Sequence, residues 1–304
     1  MNMDKTVGIV GLGIMGGEFA RHLIDGGWHV VGYDTDATRC QDAAKLGAQV
    51  VESTAAVAAA AKVILTVLPS AAALHSVVAE IAASGAAQRT VVEMGTLSLA
   101  DKNQAQRTLS DAGHTMIDCP VSGTGAQAKN KDLVLFVSGD PEIGRTLQPM
   151  FAAFAREAHH VGPFGNGTRM KFVTNHLVAI HVAAAGEAMA LGIKAGLDPK
   201  QILQLATAGA ADSRMLRLRG PMMAEGKYDG PNISARTTIL AKDATLIGRF
   251  ADDLNCPVPM LSAAKALFVT AVATGHADED PASVCAVSEQ MAGSPRAKHG
   301  HSAT

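Results

Sequence analysis

Aromatic residues are scarce in this chain, at 4% of 304 residues with eight Phe, two Tyr and one Trp. Its core must therefore be built from aliphatic and small side chains, and the 48% hydrophobic content describes an Ala/Val/Leu/Gly-rich protein of α/β or α type. An excess of one charge is also missing. Lys and Arg number 26 against 28 Asp and Glu, the formal net charge is −2, and the basic residues form no run. That excludes a partner held by a basic patch, so no nucleic acid and no anionic membrane is expected. Cysteine is sparse: Cys40, Cys119, Cys256 and Cys285 stand far apart, without metal-ligand spacing or the density of a disulfide scaffold. Reduced thiols in a cytoplasmic protein, with no metal, are the expectation. The apolar stretch from Val7 is too short and too glycine-rich for a signal or a membrane span, and no basic segment precedes it.

What the chain does have is length for two cores. The patterns predict a first domain over 1–164 and a helical one over 165–291. A tail over 292–304, rich in Gly, Ser, Ala, His and basic residues, is expected to be disordered.

The first domain opens with a short apolar run, Thr6 to Val10, followed by Gly11-Leu12-Gly13-Ile14-Met15-Gly16. A helical pattern continues through Phe19, Ala20, Leu23 and Ile24, Gly26-Gly27 stop it, and Trp28 to Tyr33 reads as a second strand ending in Asp34. A lone GxGxxG is weak. Between a strand and a helix, with an acidic residue closing the next strand, it is the full dinucleotide-binding fingerprint. Gly11 permits the tight turn, Gly13 lets the backbone approach a pyrophosphate, Gly16 lets helix and strand pack closely, and the helix amino end attracts phosphate. Asp34 is placed to bind ribose hydroxyls and to repel a 2′-phosphate, and Thr35 and Asp36 follow it rather than an arginine. This favours NAD over NADP, with a plain turn residue as the competing reading of Asp34.

Further strands are expected at 63–67, 90–93, 115–118 and 133–137, separated by alanine-rich helical segments. Such alternation gives a mainly parallel, doubly wound sheet that binds ligands at its carboxyl edge. The strand ends there read Leu68-Pro69-Ser70, Glu93-Met94-Gly95-Thr96 and Asp118-Cys119-Pro120-Val121-Ser122-Gly123-Thr124.

Past Gly165 the strand patterns cease. A helix is predicted from about Thr168 to Ala195, stopped by Gly196, with Asp198-Pro199 starting the next. Later helices are expected to break near Gly220-Pro221, Gly230-Pro231 and Cys256-Pro257. On the long helix Lys171 and Asn175 stand four apart, on one face and one turn from each other. The neighbours of Lys171 are mainly apolar: Met170, Phe172, Val173 and Leu177. Burial disfavours the charged form of an ammonium, so a lysine in such surroundings can exchange a proton nearer neutral pH. A snorkelling structural lysine is the alternative.

Four motifs together make the chain resemble the β-hydroxyacid dehydrogenase family over about residues 6–290. They are Gly11 to Gly16, Asp118 to Gly123, the set Gly165, Gly167, Lys171 and Asn175, and Lys242-Asp243. The resemblance implies a Rossmann-type doubly wound sheet followed by an all-helical domain, joined by a long interdomain helix. It implies a substrate carboxylate held by Ser122 and Gly123, Lys171 as general acid/base, and Asn175 orienting substrate and lysine. Thr96 would contact cofactor or substrate, and Lys242 would lie by the nicotinamide. Simpler readings stay open: Ser122 as a turn residue, Asn175 as a local bridge, Lys242 as a surface lysine.

The chain departs from the family pattern in several places. Thr124 stands where a second glycine is usual, Glu93-Met94-Gly95-Thr96 replaces the commoner Asp-x-Ser-Thr, and Leu99 replaces a frequent proline. Arg214, Arg217, Arg219 and Arg236 occupy a stretch where aromatic residues are common. They could bind a second anionic end of a substrate or form solvated helix faces.

The leading expectation is an NAD-dependent 3-hydroxyacid dehydrogenase, assembled as a homodimer or homotetramer through its helical half. The alternatives are an imine or ketone reductase of the same fold, whose known members generally lack the lysine, and a non-catalytic nucleotide-binding interaction protein.

Overall fold

The computed structural model describes residues 5–230, 233 and 235–296. The chain forms two compact units, Met1–Lys171 and Phe172–Thr304.

The first unit alternates strand and helix: β1 (Thr6–Val10), α1 (Ile14–Asp25), β2 (His29–Tyr33), α2 (Ala37–Lys45), β3 (Gln49–Val50), α3 (Thr54–Ala60), β4 (Val63–Thr66), α4 (Ala71–Ala83), β5 (Thr90–Glu93), α5 (Leu99–Asp111) and β6 (Thr115–Asp118). The strands make one parallel sheet in the order β3-β2-β1-β4-β5-β6. The order reverses between β1 and β4, and that switch point is where a doubly wound sheet opens a crevice for a ligand. Val7, Ile9, Ile64, Leu65, Val91 and Val92 are buried, as strands covered on both faces require. Hydroxyls set the helix starts: Ser53, Ser70 and Ser98 accept backbone N–H groups of α3, α4 and α5.

Beyond β6 come β7 (Val121–Ser122), α6 (Gly125–Lys129), β8 (Val134–Val137), α7 (Pro141–Thr146), α8 (Gln148–Phe154) and β9 (Glu157–His160). The sequence reading put 133–137 in the main sheet. Instead β8 pairs antiparallel with β7 and parallel with β9, in a second, three-stranded sheet. An antiparallel bridge between Asp118 and Ser138 joins the two sheets. One antiparallel register runs through Pro120, with Asp118 opposite Ser138 and Ser122 opposite Val134, so β6 and β7 run in one direction and the chain returns after α6 as a β8 that runs the wrong way to extend a parallel order.

Helix α9 (Asn166–Lys194) leaves this unit and enters the second. It is long and apolar enough to cross a membrane, yet Phe172, Ala179, Val182, Ala183 and Met189 are buried in the helical core. That core is completed by α10 (Pro199–Ala208), α11 (Arg214–Glu225), α12 (Thr237–Asp253), α13 (Pro259–Ala271) and α14 (Val284–Met291). Asp198 caps α10 by accepting Gln201 N–H at 3.2 Å. The expected break at Gly220-Pro221 does not occur. Proline inside a helix needs room for its ring and for the freed carbonyl, and here α11 continues to Gly226, where φ is +69°. The break at Cys256-Pro257 is present between α12 and α13, while Pro231 lies outside the described residues. Of the tail expected from 292, residues 297–304 also lie outside them. Arg296 donates to the carbonyls of Met223 at 2.6 Å and Ala224 at 2.9 Å and pairs with Glu289 at 2.5 Å, so it satisfies the carboxyl end of α11.

Candidate functional site

The turn from β1 into α1 is built for close approach. Gly11 has φ +95°, and a Cβ on Gly16 would collide with the Gly11 carbonyl. A Cβ on Gly13 would meet nothing within 4 Å, and no side chain caps α1 or places an acid in its first turn. An open, uncapped helix amino end above a glycine is the donor set a pyrophosphate needs. Leu12 is buried and Ile14 exposed, while Met15 packs against the core. At the end of β2, Asp34 Oδ2 accepts Leu12 N–H at 2.6 Å and its Oδ1 accepts Asp36 N–H at 2.9 Å. Val67 and Leu68, after β4, back Gly11, and the Leu68 carbonyl faces Gly95. Pro69 leads into Ser70, which caps α4 by accepting Ala73 N–H at 3.2 Å. Thr96 is half-buried in the turn after β5.

Ser122, the last residue of β7, is half-buried, as are Gly123 and Thr124, which turn the chain into α6. Ile14 packs over Gly125, where a Cβ would come within 2.6 Å of it, so this turn and the amino end of α1 adjoin. Thr124 has partners of its own within the turn. Its N–H and its hydroxyl both donate to Gln127 Oε1, at 3.2 and 3.4 Å.

Lys171 is buried, at 7% exposure, five positions into α9. Residues from the sheets fix the start of that helix. Gly167 N–H donates to Ser138 Oγ at 2.9 Å, and Thr168 donates to Asp118 through both N–H and Oγ1 at 2.8 Å. A Cβ on Gly167 would collide with the Phe136 carbonyl, so only glycine lets the helix start this close to β8. A carboxylate at a helix amino end also complements the dipole.

Beneath this junction lies a fully buried charge cluster that sequence reasoning missed. Lys102 Nζ is 2.8 Å from Asp118 Oδ1 and 2.5 Å from Glu93 Oε2, the latter an ion-pair contact without hydrogen-bond alignment, and it donates to the Gly95 carbonyl at 2.8 Å. Glu93 Oε1 in turn accepts Gly95 N–H at 2.8 Å. Burial pushes the Glu93 carboxyl up despite the nearby ammonium. Burial alone would push Lys102 down, but Asp118 and Glu93 outweigh it and hold its ammonium above the usual lysine range. A signal existed: Lys102, Ala105 and Leu109 share one inward face of α5, a stripe on which a charge is out of place.

In the helical unit Asn175 Nδ2 donates to Asp243 Oδ2 at 2.8 Å, and Lys242 Nζ lies 3.3 Å from Asp243 Oδ1. Asn175 and Asp243 are buried. Arg217 pairs with Asp212, Arg219 with Asp280 and Arg236 with Asp278. The four cysteines are free. Burial pushes the Cys119 thiol well up and that of Cys285 up to about 12, which makes neither a nucleophile near neutral pH.

Comparison with known proteins covers both units of the chain. A family model described as the NAD binding domain of 6-phosphogluconate dehydrogenase matches residues 6–162. A second, described as NAD-binding of NADP-dependent 3-hydroxyisobutyrate dehydrogenase, matches residues 165–288. L-threonate dehydrogenase of Cupriavidus necator is 31% identical over 93% of this chain and 95% of its own. 2-(Hydroxymethyl)glutarate dehydrogenase of Eubacterium barkeri is 28% identical over 96% of this chain and 98% of its own. Among solved structures, 3-hydroxyisobutyrate dehydrogenase from Salmonella typhimurium superposes with a TM-score of 0.84 at 28% identity, covering 93% of this chain and 99% of that one.

Proposed function

The chain belongs to the β-hydroxyacid dehydrogenase family, and we propose that it transfers hydride between NAD and a small 3-hydroxy carboxylate or its semialdehyde. We assign residues 1–164 to cofactor binding and 165–291 to substrate binding and to assembly as a homodimer or homotetramer. The observation that carries the reading is Lys171, a buried ammonium on a helix whose first turn is pinned by Asp118 and Ser138. A proton-transfer group works only when held within reach of its target, and a pinned helix start supplies that constraint.

The uncapped amino end of α1 and the open space at Gly13 fit a pyrophosphate, and Asp34 fits the adenosine ribose. A bound nicotinamide would accept or deliver the hydride. The chain's own residues would do the rest. Ser122 Oγ and the Gly123 N–H hold the substrate carboxylate, with Thr124 beside them. Lys171 Nζ removes the hydroxyl proton during oxidation and returns it to the carbonyl oxygen during reduction. Asn175, turned by Asp243, orients the hydroxyl, Thr96 contacts the cofactor from the turn after β5, and Lys242 lies by the nicotinamide. NAD rather than NADP follows from the carboxylate of Asp34, which would repel a 2′-phosphate.

Incubating the protein with NAD or NADP and a panel of hydroxy acids tests this directly, with absorbance of the reduced cofactor as readout. The panel contains 3-hydroxyisobutyrate, glycerate, threonate and sulfonated analogues. Turnover of at least one with NAD is expected. Turnover of none, with either cofactor and in either direction, refutes the assignment.

A further inference from the structure

The cluster around Lys102 has no part in hydride or proton transfer as proposed above, yet burying three ionisable groups together is costly. A buried pair is weak evidence for stability, because apolar residues of like volume often do as well. Its connections suggest another use. From one ammonium, one path leads to both sides of Gly95: Lys102 holds the Gly95 carbonyl and Glu93 holds the Gly95 N–H. The other path leads through Asp118 to Thr168, the third residue of α9, and Asp118 Oδ2 also accepts from Ser138 Oγ, the cap of Gly167 N–H. Lys171 follows Thr168 by less than one turn.

We propose that Lys102 is a positioning residue, whose buried ammonium keeps the Asp118 carboxylate available to the first turn of α9 and thereby sets the placement of Lys171 relative to the Gly95-Thr96 turn. This rests on the general acid/base reading of Lys171. Without Lys102, Glu93 and Asp118 would form a dry carboxylate pair with no cation, and two like charges in one site cannot both remain ionised. Loss of the Nζ contact would also take away one of the fixed points of Asp118 Oδ1, the atom that accepts from Thr168 Oγ1, and leave that carboxylate able to shift. The helix start would then loosen, although Lys102 itself never touches the substrate.

The Glu93 departure from the family's commoner Asp fits this role. The longer side chain lets one carboxylate reach Lys102 Nζ through Oε2 while Oε1 still holds Gly95 N–H.

A double-mutant cycle on kcat tests the proposal in the full-length protein, using Lys102→Met, Thr168→Val and both together, with ADP-ribose binding as a check that the nucleotide domain is folded. Lys102→Met is expected to lower kcat on the order of 10²-fold, the cost of a small misplacement of a reacting group. Thr168→Val should lower it roughly tenfold, the worth of one hydrogen bond to a charged acceptor. Because both act through Asp118, the double variant should be no slower than Lys102→Met alone. If Lys102→Met fails to fold, Glu93→Gln/Lys102→Met replaces it, since that pair removes one charge of each sign yet still takes the Nζ contact from Asp118, and a loss of kcat in the same direction is expected. Wild-type kcat in whichever variant folds overturns the proposal, however far its melting temperature falls, and so do losses that multiply in the double variant. Lys171→Met is measured alongside. If it is inactive while the Lys102 variants are normal, only the positioning role fails. If it retains turnover, the acid/base reading and this proposal fall together.

Discussion

Asn175 Nδ2 donates to Asp243 Oδ2 at 2.8 Å, and this bond decides which way the Asn175 amide faces. With the NH2 end turned to a buried carboxylate, the Oδ1 end is the one presented elsewhere on the same helix face as Lys171. Asp243→Asn keeps the size of the side chain but removes the charge that prefers a donor, so the Asn175 amide can turn over. We expect kcat for hydroxy-acid oxidation to fall roughly tenfold, the difference between a charged and a neutral acceptor, with cofactor affinity unchanged. Unaltered kcat in a folded Asp243→Asn protein would show that the orientation of Asn175 does not matter to turnover.

The Asp34 carboxylate is held at both oxygens by Leu12 N–H and Asp36 N–H. It cannot swing aside easily for a 2′-phosphate, which supports the proposed preference for NAD. Asp34→Ser should shift the ratio of kcat/KM for NADP over NAD upward by about tenfold or more, equivalent to about 1.4 kcal/mol, while the ranking of hydroxy acids stays the same. A wild-type enzyme that already prefers NADP tenfold would remove the role given to Asp34.

The parallel sheet was legible because strands covered on both faces leave short apolar runs, as in Thr6–Val10 and Val63–Thr66. The strands that escaped reading have no such signature. Gln49–Val50 and Val121–Ser122 are two residues long, and Glu157–His160 is largely exposed and polar. The glycine turn before α1, and the helix that carries Lys171 and Asn175 one turn apart, were legible because local spacing carries them. Lys102 was not, since its partner Asp118 lies 16 residues away, and Thr168 reaches Asp118 across 50. Contacts of that range come from the fold, and no local pattern announces them. Thr124 stands out in the sequence only as a replacement for a usual glycine, and its bonds to Gln127 became visible only with the helix in place.

Those bonds shape the expectation for the anion turn. Ser122→Ala removes one hydrogen bond to a charged group and should raise KM for the true substrate by a factor corresponding to roughly 1.5–3 kcal/mol, with cofactor KM nearly unchanged. Thr124→Gly should change the ranking of substrates if its hydroxyl leaves Gln127 for the ligand, and should leave that ranking alone if it does not. Equal weakening of cofactor and substrate by Ser122→Ala would show that the turn serves the nucleotide instead.

Lys171 carries the enzymatic reading, so its variants test that reading most sharply. Lys171→Met keeps the length and apolar stem of the side chain and removes the amine. Its position on α9, away from the glycine loop, predicts a folded protein that binds NAD as before. Turnover should fall by roughly 10²–10⁴, the usual contribution of a positioned acid/base group. Lys171→Arg should fail almost as badly, because guanidinium does not release a proton near neutral pH. The competing view, a lysine that merely supports its helix, makes the opposite pair of predictions. It expects lost stability in Lys171→Met, near-normal turnover in whatever remains folded, and substantial rescue by arginine. Calorimetry, NAD titration and steady-state kinetics on the same two preparations separate these outcomes. A stable, NAD-binding Lys171→Met protein with near wild-type turnover would end the general-base assignment, and with it the proposal that Asn175 and Asp243 serve that lysine.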